Sequence, residues 1–186
     1  MRVAYIDIET NYIGTHQDQK RFEDYENHLI TVFGVRIVGR GVDAFTQIIG
    51  KDITRANVLQ ILRGVQKIVT YNGRSIPDGI KNRVGFDFPV IAAQLGIALD
   101  REFAHTDLVP ECWMRNLYGG QKKVEQALGL KRKFEGGDGA WAVETWLRYM
   151  QTKNKKYLDD LLAYNREDVY MLREIESELK KLPFVR

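Results

Sequence analysis

Two acidic residues near the amino terminus, Asp7 and Glu9, have a spacing that suits catalysis. Residues 1–10 alternate in character with a period of two, which predicts a β-strand. Side chains two residues apart in a strand project from the same face, so both carboxylates would point to one side of the sheet. Asp87, at the predicted start of a helix, and Asp168, on a long carboxy-terminal helix, could complete a set of four carboxylates.

Four carboxylates in one site repel one another unless cations neutralise them. Two divalent ions about 3.5–4 Å apart supply that charge and assist the displacement of a phosphodiester. Oxygen ligands without a cysteine or histidine cluster favour Mg²⁺ or Mn²⁺ over Zn²⁺. Tyr164 lies four residues before Asp168, so their side chains share one helix face.

Each of these residues also has an interpretation without catalysis. An Asp-x-Glu sequence at a strand end is common by chance, and Asp87 could simply be the N-cap of its helix. Tyr164 and Asp168 could lie on a solvated helix face. The catalytic interpretation therefore depends on the whole set, its order and its placement in the structure.

Three segments carry these acids, and they follow one another in a characteristic order. They are Asp7-Ile8-Glu9-Thr10, Asn82-Arg83-Val84-Gly85-Phe86-Asp87 and Tyr164-Asn165-Arg166-Glu167-Asp168. Together they resemble the motifs of the DnaQ-like 3′–5′ exonucleases, in the form whose last motif is Tyr-x-x-x-Asp. Within that superfamily the sequence is most similar to YprB-type domains, related to the exonuclease part of family B polymerases. That similarity is carried by Thr70-Tyr71-Asn72-Gly73, His105-Thr106-Asp107-Leu108 and residues 123–130.

The resemblance implies a metal-dependent exonuclease that releases nucleoside monophosphates from an unpaired 3′ end of DNA or RNA. It implies that two Mg²⁺ or Mn²⁺ ions are held by Asp7, Glu9, Asp87 and Asp168. Tyr164 would orient the attacking water or accept its proton. Two other functions stay open: a nucleic-acid-binding module without turnover, and an endonuclease of the ribonuclease H type.

Further residues are candidates for contact with the nucleic acid. The expected substrate-binding residues are Thr10, Asn72, Asn82, Phe86, Lys122 and Lys123. Basic side chains near phosphates add affinity without sequence preference, and the other candidates of this kind are Arg74, Lys81, Arg83, Lys131, Arg132 and Lys133. Aromatic side chains can stack on bases, which makes Tyr12, Phe86 and Trp113 candidates too.

The second motif departs from the family pattern. Asn72-Gly73 ends a predicted strand, but Phe86-Asp87 follows only after a predicted loop at residues 73–85. Asn82 recreates the short spacing, so either asparagine could hold the position in the motif. Asp78 is an alternative to Asp87, which we favour because a predicted helix begins there.

Hydrophobic periodicity predicts the elements that position these residues. Strands are expected at residues 1–10, 29–38, 42–49, 67–71 and 103–107, and helices from residue 54, at 87–95, 112–118, 122–128, 141–150 and 157–181. Gly39-Arg40-Gly41 favours an antiparallel hairpin, His105 would finish a strand, and Asp107 would cap the next helix. We expect an α/β, ribonuclease-H-like fold with a five-stranded mixed sheet, three antiparallel strands first and then two parallel, flanked by helices.

Composition restricts the class of protein. The 186 residues, 44% of them hydrophobic, predict a single domain over residues 1–186. No apolar run approaches the roughly 20 residues of a membrane span, and the amino terminus lacks the apolar stretch of a signal peptide. The lone Cys112 fits a reducing compartment, so we expect a cytoplasmic protein without a membrane partner. A net charge of +3 is compatible with nucleic acid without indicating it.

Overall fold

The computed structural model describes residues 1–17, 19–74, 84–134 and 137–185. Its centre is a sheet of five strands, β1 (Val3–Tyr12), β2 (His28–Gly39), β3 (Val42–Ile49), β4 (Lys67–Thr70) and β5 (Ala104–Asp107). They lie in the order β3-β2-β1-β4-β5. The first three strands pair antiparallel, whereas β4 runs parallel to β1 and β5 parallel to β4. The expected α/β fold with a mixed sheet is confirmed.

Helices cover both faces of this sheet. In the described residues they are α1 (Arg55–Ile61), α2 (Asp87–Leu95), α3 (Leu99–Glu102), α4 (Leu108–Trp113), α5 (Gln121–Ala127), α6 (Gly139–Thr152) and α7 (Lys155–Leu179). Ile6 of β1 is buried in one core with residues of α1, α2 and α3. Tyr5 is buried in a second core with residues of α4, α5 and α7. The alternation along β1 therefore sends successive side chains into the two cores, as its period of two predicts.

The hairpin between β2 and β3 is confirmed. Gly39 pairs with Val42, which leaves Arg40 and Gly41 as the connecting residues. Both have positive φ, 53° and 77°, as the two-residue turn that suits the twist of a hairpin requires.

Helix α4 begins earlier than its periodicity predicted. It spans Leu108–Trp113 because Asp107 caps it: the side chain accepts a hydrogen bond of 3.0 Å from the backbone of Val109. The expected capping role of Asp107 is confirmed.

Most of the predicted loop at residues 73–85 lies outside the described residues, and Asp78, Lys81, Asn82 and Arg83 lie there with it. Within the described part of the chain, no helix is both long enough and apolar enough to cross a membrane.

Candidate active site

Three carboxylates meet where α7 crosses β1. Asp7, Glu9 and Asp168 each offer one oxygen, and these oxygens lie within 4.8 Å of one another. Asp7 and Glu9 come from β1, and Asp168 lies on the buried side of α7. A compact group of oxygen donors has the composition that a hard divalent cation such as Mg²⁺ or Mn²⁺ requires.

Asp87 reaches the site from another helix. It is the first residue of α2, whose N-cap is Phe86, so Asp87 is not the cap itself. Asp87 lies outside the three-carboxylate group, but with Asp7 and Glu9 it lines a cleft of about 740 Å³. The structure thus brings the fourth acid to the same cleft.

Positively charged side chains of the protein only partly neutralise the negative charge of these carboxylates. Burial raises the pKa of Asp7 well above its usual range, and the charges of Glu9, Asp168 and Asp87 raise it further. Burial likewise raises the pKa of Glu9 and of Asp87. Burial raises the pKa of Asp168 too, although the positive charge of Arg132 opposes the shift. Divalent cations would offset both the desolvation penalty of these carboxylates and the repulsion between them. This set of oxygen ligands therefore fits such cations.

Asn72 lies beside Asp87 although the two residues are far apart in sequence. The backbone N–H of Phe86 donates to the carbonyl of Asn72 at 2.9 Å, and that of Phe88 donates to the carbonyl of Gly73 at 2.8 Å. Asn72 has a left-handed backbone, with φ of 64°. Asn72 and Gly73 therefore lie against the start of α2, and Asn72 and Phe86 both line the cleft.

Asp107 holds this turn in place. Its carboxylate accepts hydrogen bonds from the backbone of Asn72 at 2.9 Å and of Arg74 at 3.1 Å, besides capping α4. His105 makes a contact within the sheet, as expected for a structural residue: its Nε2 lies 2.9 Å from Oγ1 of Thr70. Burial lowers the pKa of His105 to about 4, so the ring is neutral at pH 7.

An aromatic cluster forms another wall of the cleft. The ring of His28 lies 4.8 Å from that of Tyr12 and 4.9 Å from that of Phe86, centroid to centroid. Its Nδ1 lies 3.3 Å from Oγ1 of Thr10, and its Nε2 lies 2.7 Å from the carbonyl of Arg21. Burial lowers the pKa of His28. The neutral ring thus braces the aromatic side chains next to the carboxylates.

Tyr164 is buried one helical turn before Asp168, and its ring centroid lies 5.4 Å from that of Trp141. Burial raises the pKa of Tyr164, and the charges of Asp168, Glu9 and Asp7 raise it further. Its hydroxyl is therefore protonated at neutral pH. A protonated hydroxyl can donate a hydrogen bond, which is what orienting a water requires.

The two lysines expected to bind substrate differ in position. The Nζ of Lys122 lies 4.5 Å from the ring centroid of Tyr164, and it donates a hydrogen bond to the carbonyl of Gly137. Lys122 is thus close to the carboxylates. Lys123 is exposed, and its side chain lies against Gly119 rather than in the lining of the cleft.

Asn165 is a residue of the site that the sequence reasoning missed. Its Nδ2 donates to Oδ2 of Asp7 at 2.8 Å, and its Oδ1 accepts from Nε2 of Gln47 at 2.8 Å. Gly34 lies opposite Asp7 in the sheet, where a Cβ would come within 2.1 Å of Oδ1 of Asn165. An asparagine on the buried face of a helix, between Tyr164 and Asp168, was the available signal.

Arg132 corrects an expectation, because it is not an exposed contact for phosphate. Its side chain is 9% exposed and forms ion pairs with Glu125 and Asp168. Glu125 is itself 2% exposed. A charged residue beside Val124 on the apolar face of α5 was the signal for this buried network.

The comparisons with known proteins agree with this architecture. The RNase_H_2 family model, described as RNase_H superfamily, matches residues 4–180. This range includes all five strands except Val3 of β1, and it includes Asp7, Glu9, Asp87 and Asp168. No curated protein matches the chain. A match over nearly the whole length, on a mixed sheet of this order, shows that the chain belongs to the RNase_H superfamily.

Proposed function

We propose that this protein is a divalent-cation-dependent 3′–5′ exonuclease that acts on single-stranded DNA or RNA. Membership of the RNase_H superfamily supports a nuclease-type activity on nucleic acid in general. The observation that supports exonuclease activity in particular is the position of Tyr164, one turn before Asp168 and next to the carboxylates of β1. A tyrosine in this place is the feature that resembles the exonucleases.

The residues that would hold two cations are Asp7, Glu9, Asp87 and Asp168. When bound, such cations supply a Lewis acid that makes water nucleophilic at neutral pH and neutralises the leaving 3′ oxygen. Asp7 is held for this purpose by its hydrogen bond with Asn165. Tyr164 keeps its proton, so its hydroxyl donates a hydrogen bond that positions the water or the phosphate.

The cleft suits one unpaired nucleotide. Its aromatic wall, Tyr12 and Phe86 braced by His28, offers a stacking surface that accepts any base once the base has left a duplex. Thr10 and Asn72 line the same cleft and offer polar groups to the sugar and phosphate. The cleft therefore supports cleavage at an exposed end, with little dependence on sequence.

A 5′-labelled single strand, incubated with Mn²⁺ or Mg²⁺, tests the proposal. We expect a ladder that shortens from the 3′ end and disappears with EDTA and in the variant Asp168→Asn. Asp159→Asn is the matched control, because Asp159 lies exposed on the same helix. Matched DNA and RNA strands tested side by side would give the sugar preference.

Three results would contradict the proposal. No ladder with either nucleic acid and either metal would exclude the activity, and nucleic-acid binding without cleavage would favour a binding module. A circular strand has no 3′ end, so its cleavage would favour an endonuclease of the ribonuclease H type.

A further inference from the structure

We propose that Arg132 is a built-in counter-ion of the carboxylate site. It holds Asp168 in place when no divalent cation is bound, and it lowers the affinity of the site for that cation. This inference rests on the proposed function, because it takes Asp168 to be a cation ligand.

The guanidinium of Arg132 lies between two buried carboxylates. Its Nε donates to Oε2 of Glu125 at 2.5 Å, and its Nη2 donates to Oε1 of Glu125 at 2.7 Å and to Oδ1 of Asp168. The side chains of Arg132, Glu125 and Asp168 are 9%, 2% and 11% exposed. Solvent screening of these charges is therefore weak.

Glu125 places the guanidinium independently of Asp168. Two parallel hydrogen bonds to one carboxylate fix the plane of an arginine. Gln121 adds to the arrangement, since its Nε2 donates to Oε1 of Glu125 and to the backbone carbonyl of Asp168, both at 3.0 Å. Helices α5 and α7 thus hold Arg132 as a fixed positive charge beside Asp168.

The other three acids differ from Asp168 in this respect. Within the described residues, no lysine, arginine or histidine forms an ion pair with Asp7, Glu9 or Asp87. A divalent cation bound by Asp7, Glu9 and Asp168 would share the carboxylate of Asp168 with Arg132. Two positive charges on one buried carboxylate repel each other. Arg132 therefore stabilises the metal-free site and competes with the metal.

The test removes the ion pair without changing the net charge. In the double variant Arg132→Met/Glu125→Gln, we expect Mn²⁺ to bind about tenfold more tightly, measured by titration calorimetry. The metal-free double variant should melt at a lower temperature than the metal-free wild type. Saturating Mn²⁺ should remove most of that difference, because the metal takes over the neutralisation of Asp168.

Two further variants separate charge from structure. Arg115→Met/Glu111→Gln removes another arginine–glutamate pair, in which the side chain of Arg115 is 8% exposed. Glu111 lies on α4 and Arg115 in the turn that follows it, and neither belongs to the carboxylate group of the site. It should lower the melting temperature and leave the Mn²⁺ affinity unchanged. Arg132→Lys keeps the charge but loses the planar fork, so its Mn²⁺ affinity should stay within roughly threefold of wild type.

Unchanged or weaker Mn²⁺ binding by the Arg132→Met/Glu125→Gln variant would overturn the inference, leaving Arg132 a purely structural role. A variant that stays unfolded even with saturating Mn²⁺ would overturn it as well, because the metal could not then replace the guanidinium. A wild-type protein that binds no Mn²⁺ would contradict the proposed function itself. The two failures are therefore distinguishable.

Discussion

Replacing Gly34 by alanine is expected to destabilise the protein, although the same change inside most strands is favourable by about 0.5–1 kcal/mol. A Cβ at this position would lie 2.1 Å from Oδ1 of Asn165, and 3.0 Å from Cγ of Asn165 and from Cγ2 of Val169. Ordinary contacts of a Cβ begin at 3.4 Å. To restore an ordinary contact, Oδ1 of Asn165 would have to move by more than 1 Å.

The size of the destabilisation follows from the packing and the hydrogen bonds of Asn165. Overpacking of a buried position costs about 1–3 kcal/mol. Moving the amide also weakens two hydrogen bonds of 2.8 Å, to Asp7 and from Gln47, and a buried group left unpaired costs about 1–3 kcal/mol. After the gain in backbone entropy is subtracted, we expect a net loss of about 1–5 kcal/mol. In a chain of this length that lowers the melting temperature by roughly 2–20 °C.

Thermal melting, urea unfolding and Mn²⁺ calorimetry of Gly34→Ala check the reasoning. Because Asp7 loses its positioning partner, the variant should also bind Mn²⁺ more weakly. Gly139→Ala is the matched control, since Gly139 begins α6 and a Cβ there meets no atom within 4 Å. A Gly34→Ala protein with the stability and Mn²⁺ affinity of wild type would refute the tight packing of Gly34 against Asn165 and its effect on Asp7.

Three shorter predictions concern residues outside the carboxylate group. Asp107→Ala removes the acceptor for three backbone N–H groups, so urea unfolding should show a loss of about 1–3 kcal/mol; an unchanged midpoint would contradict this role. The pKa of His105 falls from 6.5 in the unfolded chain to about 4 in the folded one, so the neutral ring favours folding above pH 6.5 and this contribution is lost as the pH falls towards 4. Melting temperatures between pH 7 and 4 should therefore fall less steeply in His105→Asn than in wild type, and an identical slope would contradict this. Arg40→Asn should raise stability by about 0.5–1 kcal/mol in the same urea assay, because asparagine tolerates the positive φ of the hairpin better than arginine does; a lower midpoint would contradict this.

Periodicity and turn chemistry were sufficient to predict most of the fold. The strand over residues 42–49 and the helix over residues 87–95 have the predicted bounds, and the β2–β3 hairpin forms at its glycines. The apolar periodicity placed a helix at residues 112–118, whereas α4 starts at Leu108, directly after the cap that was expected at Asp107. Capping competes with periodicity at such short helices, and a pattern of apolar residues does not record it.

Some features of the candidate site could likewise be predicted from the sequence, and others could not. The sequence by itself determined that Asp7 and Glu9 share a strand face, and that Tyr164 and Asp168 share a helix face, because backbone geometry sets the direction of near neighbours. Only the tertiary structure decided which distant groups meet: Asn165 bonds to Asp7 across 158 residues, the carbonyl of Asn72 accepts a hydrogen bond from Phe86, and Arg132 is buried against Asp168. A buried polar group must have a partner, but the order of the strands and the packing of the helices determine which partner it meets. Neither can be read from the spacing of nearby residues in the sequence.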